Sequence, residues 1–254
     1  TPPSKEEIIS PAPVIGEVET VKLGGIEQSI LIHGNDLSKP ILLVLHGGPG
    51  YAMLPLFHAQ NKMLEDSFIV VNWDQRGSGR SYSSSITKTS MTLSQFIADA
   101  HELTGYLKKR FDSQKIFILG HSFGTVLGIR LIQEYPDDYL AFAGIGQVVN
   151  VIANEQLAYD FVLLQANTNN NTIAIQELEA VGRPDNEGEY LDDSGYEITA
   201  KWVGFFGGDL FGKTSTDEIE EWLLTSSVYV NHQSKLRAGW DFSETIFDDA
   251  NVWQ

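Results

Sequence analysis

The sequence predicts an α/β protein: a mostly parallel sheet with helices on both faces, followed by a helical lid. Three observations lead there. Over residues 1–150, strand-sized apolar runs alternate with stretches of helical periodicity, the pattern of strands joined by crossover helices. The run at residues 40–46 is almost solidly apolar, as expected of a strand covered on both faces. After about residue 150 the alternation stops, and only helix-like segments joined by Asn-, Gly- and Asp-rich loops remain.

The elements follow in order. Residues 18–23 and 26–33 flank Gly24-Gly25 and predict a hairpin. Residues 40–46 and 67–73 are the next two strands. A helix begins near Thr92, where Thr92 and Gln95 have capping-box spacing, and Phe96, Ile97, Ala100, Leu103 and Leu107 recur on one face. Lys108, Lys109 and Arg110 fall in its last turn, which suits the helix dipole. Residues 115–119 form a strand, 122–135 a helix stopped by Pro136, and 139–149 contain a further strand. Helices are expected over 154–166, 172–181, 196–206 and 216–224, inside a lid spanning 151–254 beyond the core of residues 1–150. No internal repeat is visible.

Composition narrows the function. There is no cysteine, so disulfides, thiolate metal sites and a cysteine nucleophile are excluded. The net charge of −17 disfavours nucleic acid and anionic membrane surfaces. Most of it, −14, lies in residues 151–254, where a solvated helical surface is the simplest account. No apolar run approaches the length of a membrane span. The chain opens on Thr1, with four prolines in residues 1–13; this reads as an extended arm of a processed or longer parent, with an exported or anchored parent mildly favoured.

Three motifs carry chemistry. Gly120-His121-Ser122-Phe123-Gly124 fits G-x-S-x-G and lies between an apolar strand and a helix, where a nucleophilic serine is presented on a sharp turn. His46-Gly47-Gly48-Pro49-Gly50 follows the strand at 40–46. Acyl transfer needs backbone N–H groups aimed at the developing oxyanion; the candidates are Gly48 in this loop and Phe123 after the nucleophile. Asp74-Gln75-Arg76-Gly77-Ser78-Gly79-Arg80-Ser81 follows the strand at 67–73. Asp74 and Arg76 are expected to hold that loop by an ion pair and backbone hydrogen bonds rather than to do acid–base work.

With HGGPG, DQRGSGRS and GHSFG at these separations, the chain resembles the proline iminopeptidase family of α/β-hydrolases, well over residues 18–150, with residues 155–184 similar to the lid of related bacterial hydrolases. The resemblance implies an α/β-hydrolase fold and a serine peptidase, needing no cofactor, that removes N-terminal residues, often proline, from short peptides. It also implies acidic lid residues that hold the substrate α-amino group. Glu155, opening the first lid helix, is the first candidate; Glu177 and Glu179 on the second helix follow. At the elbow, His121 and Phe123 replace the family's usual G-G-S-W-G surroundings, so the wall beside the substrate differs. An esterase or amidase for small acyl substrates shares the same elbow and oxyanion hole, and a non-catalytic binding protein on this fold is the remaining alternative.

A serine nucleophile needs a histidine base and an orienting acid, which in this fold follow the serine in chain order. The histidines are at 33, 46, 58, 101, 121 and 232, and only His232 follows Ser122. It sits among lid-like helices with no strand before it and reads as a packing or surface residue. The Asp and His of the triad are therefore expected on a further C-terminal segment, roughly 80–100 residues for a βαβα unit, or on a second chain.

Overall fold

The computed structural model describes residues 16–209 and 217–249; the proline-rich arm at 1–13 lies outside them. The strands are β1 (Val18–Leu23), β2 (Ile26–His33), β3 (Ile41–Leu45), β4 (Ile69–Asp74), β5 (Ile116–His121) and β6 (Tyr139–Ile145). They form one sheet in the order β1-β2-β4-β3-β5-β6. β1 and β2 are the expected antiparallel hairpin, with Leu23 opposite Ile26 across Gly24-Gly25. Both glycines have positive φ, which a two-residue hairpin turn requires. β4, β3, β5 and β6 run parallel to one another. Every residue of β3 and β4 is buried; β3 is solidly apolar, and β4 carries Asn72 and Asp74 among its apolar residues.

Eight helices accompany the sheet among the described residues: α1 (Leu56–Gln60), α2 (Leu93–Arg110), α3 (Phe123–Glu134), α4 (Val151–Thr168), α5 (Thr172–Val181), α6 (Ser194–Phe205), α7 (Asp217–Thr225) and α8 (Gln233–Ser243). The pleat sends alternate strand residues to opposite faces. Ile30, Ile32, Leu43, Val71 and Ile118 meet Phe96, Leu103 and Leu107 of α2 and Phe123, Leu127 and Leu131 of α3 on one face. Leu31, Leu42, Val44 and Val70 meet Met53, Leu54 and Phe57 on the other, together with Leu223 of α7, Tyr229, and Leu236 of α8. Among the described residues, the helices of 151–254, expected as one lid, thus pack in two sets. α7 and α8 belong to the layer on the sheet, whereas α4–α6 share a separate small core of Tyr159, Val162, Ala166, Ala174, Leu178 and Trp202.

At the start of α2, Thr92 Oγ1 accepts from Gln95 N–H as expected. The reciprocal half of the capping box does not form: Gln95 Nε2 donates to Asp99 Oδ1 at 2.7 Å instead, drawn by the buried carboxylate one turn on. The two sheet edges differ. β1 alternates polar and apolar residues, and its Glu19 pairs with Arg110. β6 leaves Leu140 and Ile145 exposed.

Candidate active site

Ser122 stands alone between β5 and α3 with φ 52° and ψ −120°, a left-handed conformation that is strained for a residue with a Cβ. The surroundings hold it there. Ser122 N–H donates to Ile145 O at 2.9 Å, and Thr125 Oγ1 donates to Ser122 O at 2.6 Å. Thr125 Oγ1 also accepts from Val148 N–H, tying the elbow to the loop after β6. The flanking glycines are required by backbone approach. A Cβ on Gly124 would fall 2.2 Å from Leu45 O, and one on Gly120 would fall 2.5 Å from Gly124 O. Helix and strand can pack this tightly only because those positions carry no side chain.

The loop after β3 lies against the elbow: a Cβ on Gly47 would be 2.9 Å from Ser122 Cβ. Gly48 takes φ +106° and is followed by a cis peptide to Pro49. Phe123 N–H opens α3, where first-turn donors have no intrahelical acceptor. His46 is fully buried, and its ring is fixed by backbone. Nδ1–H donates to Gly47 O at 2.8 Å, and Nε2 accepts from Gln75 N–H at 3.1 Å. Gln75 Nε2 returns a bond to His46 O. Burial pushes the imidazole down to about 4, so His46 is a neutral brace. His121 sits beside Gly47, and burial lowers its pKa too.

The loop after β4 corrects one expectation in detail. Asp74 and Arg76 do not pair with each other. Arg76 makes a buried two-point ion pair with Asp99 of α2 and also donates to Gly24 O. Asp74 accepts from Arg80 N–H at 2.8 Å and Tyr229 Oη–H at 2.6 Å. Burial dominates those bonds and pushes Asp74 up to about 7. Tyr229 Oη accepts in turn from Leu54 N–H, so one hydroxyl links the α7–α8 connection, the loop after β4 and the loop after β3. Tyr229 could not be singled out from sequence, because its partners are 155 and 175 residues away.

A cleft of about 580 Å³ opens over Ser122, lined by Gln147, Val148, Asn150, Asn154, Glu155 and Leu157, among others. The segment 146–150 was missed in the sequence reading; its signal was position, immediately beyond a parallel strand's carboxyl end. Glu155 shares the cleft with Ser122 and is half-buried, which raises its pKa. Glu177 and Glu179 do not line it. Glu177 accepts from Lys201 Nζ and Trp202 Nε1, and Glu179 is exposed on α5. His232 precedes α8 in a different groove with Arg80 and Lys235. Among the described residues no imidazole or carboxylate hydrogen-bonds the Ser122 hydroxyl, and no helix is long and apolar enough to cross a membrane.

Sheet order, strained serine elbow and glycine loop define an α/β-hydrolase. The family model described as serine aminopeptidase, S33, matches residues 37–172, more than half of the chain, and the protein belongs to that family. A probable aminopeptidase, YbaC, of Bacillus subtilis (strain 168) is 40% identical over 148 residues, covering 58% of this chain and 46% of that protein. A probable proline iminopeptidase of Leptolyngbya boryana is 28% identical over 104 residues, 41% of this chain and 30% of that one. The chain thus spans less than half the length of the curated relatives it matches. Among solved structures, proline iminopeptidase of Mycobacterium smegmatis superposes with TM-score 0.55 at 17% identity, over 94% of this chain and 73% of that one. A Vigna radiata epoxide hydrolase variant gives 0.55 at 18% identity, over 93% and 73%. At these identities the likeness is one of fold.

Proposed function

We propose that this hydrolase is a serine aminopeptidase that releases N-terminal residues, proline among them, from short peptides through an acyl-enzyme on Ser122. The observation that carries the reading is the left-handed Ser122 at the floor of a cleft it shares with the half-buried Glu155. In this mechanism Ser122 Oγ attacks the first peptide carbonyl and gives its proton to a histidine base. The oxyanion is held by the N–H groups of Gly48 and Phe123. The C–N bond breaks, the base returns the proton to the leaving amine, and water then hydrolyses the ester. Glu155 holds the substrate's ammonium group by charge. Helices α4–α6 act as the lid. No cofactor or metal enters these steps.

The base and its orienting acid are assigned to polypeptide, from this protein's own longer chain or from a second chain, that pairs along β6. The exposed Leu140 and Ile145 support that placement, since an apolar parallel strand is normally covered.

The test is labelling of the complete protein with a serine-reactive phosphonate, mapped by peptide mass, beside hydrolysis of an aminoacyl-arylamide and its N-acetylated twin. Labelling at Ser122 with preference for the free amine is expected. Labelling elsewhere would remove the nucleophile. Labelling at Ser122 with equal rates on both substrates would favour an esterase or amidase.

A further inference from the structure

At the end of the sheet opposite the elbow, three potential metal ligands converge from separate elements. His33 closes β2 and pairs with Val70 near the start of β4, whereas Ser122 follows the carboxyl end of β5. His58 lies on α1, and Glu65 on the 3-10 turn at Lys62–Asp66. One ligand atom from each lies within 4.8 Å of the other two. The two imidazoles are stacked with centroids 3.8 Å apart and planes 10° from parallel. His58 Nδ1 is 2.6 Å from Glu65 Oε1. The Glu65 carboxylate is buried, while the His58 side chain keeps 39% of its surface open, so the cluster has both an anchored anion and a route to solvent.

We propose that His33, His58 and Glu65 form a binding site for a divalent transition-metal ion of the zinc type, structural in role and separate from the serine chemistry. Two imidazoles and one carboxylate are a ligand set for zinc, nickel, cobalt or copper rather than for magnesium or calcium, which take oxygen ligands. Metal–ligand bonds of about 2.0–2.2 Å place tetrahedral ligands roughly 3.4 Å apart. The three groups therefore need only a modest closure, with a turn of the stacked rings so that each lone pair points at the ion; water completes the shell. Lys62 is close enough for its charge to reach His33 and weakens the hold on a metal.

The geometry gives the ion a specific effect. It would cross-link the end of β2 to the α1 segment, which runs from the oxyanion loop at 46–50 back into β4. A ligand that binds the folded state alone raises the melting temperature by mass action.

The test uses the full chain, stripped with EDTA and titrated with zinc chloride by calorimetry, with cobalt(II) as a spectroscopic probe. One zinc per chain, a raised Tm and visible cobalt bands of a low-coordinate nitrogen–oxygen site are expected, with no response to magnesium. His33→Gln and His58→Gln should each weaken zinc binding by more than the roughly 10–100-fold that loss of a second-shell partner causes. Glu65→Gln, which preserves shape and a hydrogen-bond acceptor, should weaken it by about tenfold or more. If zinc does not bind, or binds equally well to the two histidine variants, the site is overturned. Phosphonate labelling of Ser122 should be unchanged in all three variants, so this result and that of the proposed function stand apart.

Discussion

Two ion pairs show how differently the two halves of the molecule are built. Arg76 and Asp99 join the loop after β4 to α2, and both side chains are buried. Gln28 and Gln95 donate to the same carboxylate, so every charge is answered by fixed partners. Arg183 and Asp160 sit in the α4–α6 region with 46% and 49% of their side-chain surfaces exposed. The first pair cannot be disturbed without leaving a charge in a low-dielectric interior; the second is solvated and screened. The sheet half sets geometry through buried backbone and polar networks. The helical half tunes a surface. Under the proposed function, catalytic chemistry would belong with the first and substrate preference with the second.

The largest expected effect tests that division at its centre. Ser122→Ala should lower kcat/KM of the complete enzyme by on the order of 10⁴-fold or more, as for loss of any nucleophile, with little loss of folding. Activity assays and a urea melt of the same preparation check it. A retained rate would remove the serine chemistry; a collapsed fold would show that the elbow is structural instead.

Next come the two ion pairs. Arg76→Met should cost about 3–5 kcal/mol, because Asp99 is left buried without its cation. Arg183→Ala should leave the urea midpoint within error of the native protein. Equal losses would break the contrast between the halves.

The same contrast explains what sequence could disclose. All six strands were legible, because β3 is an uninterrupted apolar run, β4 opens on one, and Gly24-Gly25 marks the hairpin. The elbow was legible because Gly120 and Gly124 are demanded by contacts below 3 Å, and a steric demand of that kind leaves a motif. Asp74 and Arg76 were legible as loop residues, but their partners were not, since Asp99 and Tyr229 are set by packing between remote elements. The division of the described helices after residue 150 into α4–α6 and α7–α8 was not legible either, since periodicity does not say which surface a helix covers. For the same reason Glu177 and Glu179 stayed candidates behind Glu155.

Titration sharpens the picture inside the buried half. Asp74 is pushed up to about 7, so between about pH 4 and 7 the folded protein holds a proton the unfolded chain releases, and this contribution to stability is lost as pH rises. His46, held at about 4, works the other way. Below about pH 6.5 the unfolded chain takes up that proton first, and stability is lost as pH falls. The two slopes oppose each other. Asp74→Asn removes the first, and relative to the native protein it should lose on the order of 3–4 kcal/mol between pH 7 and 4. Urea melts across that range measure it. A difference that does not vary with pH would mean that Asp74 is already ionised in the fold at low pH.

The smallest effect concerns the helical half. If α4 supplies substrate preference, Glu155 should act through its charge on the substrate's amine and on nothing in the acyl chemistry. Glu155→Gln should then shrink the preference for the free amine over the acetylated twin by about tenfold, equivalent to ~1.4 kcal/mol of transition-state binding, and leave the acetylated substrate's rate alone. Glu179→Gln, on the exposed face of α5, should change neither. The pH profile separates charge from shape. Burial raises the Glu155 pKa, so the free-amine substrate should lose kcat/KM on acidification at a higher pH than an ordinary carboxylate would impose. The ratio of the two substrates should carry that limb, while limbs common to both cancel. If Glu155→Gln slows both substrates equally, the residue shapes the cleft rather than anchoring an amine, and preference must be sought in the loop at 146–150 that faces Ser122 from the sheet side.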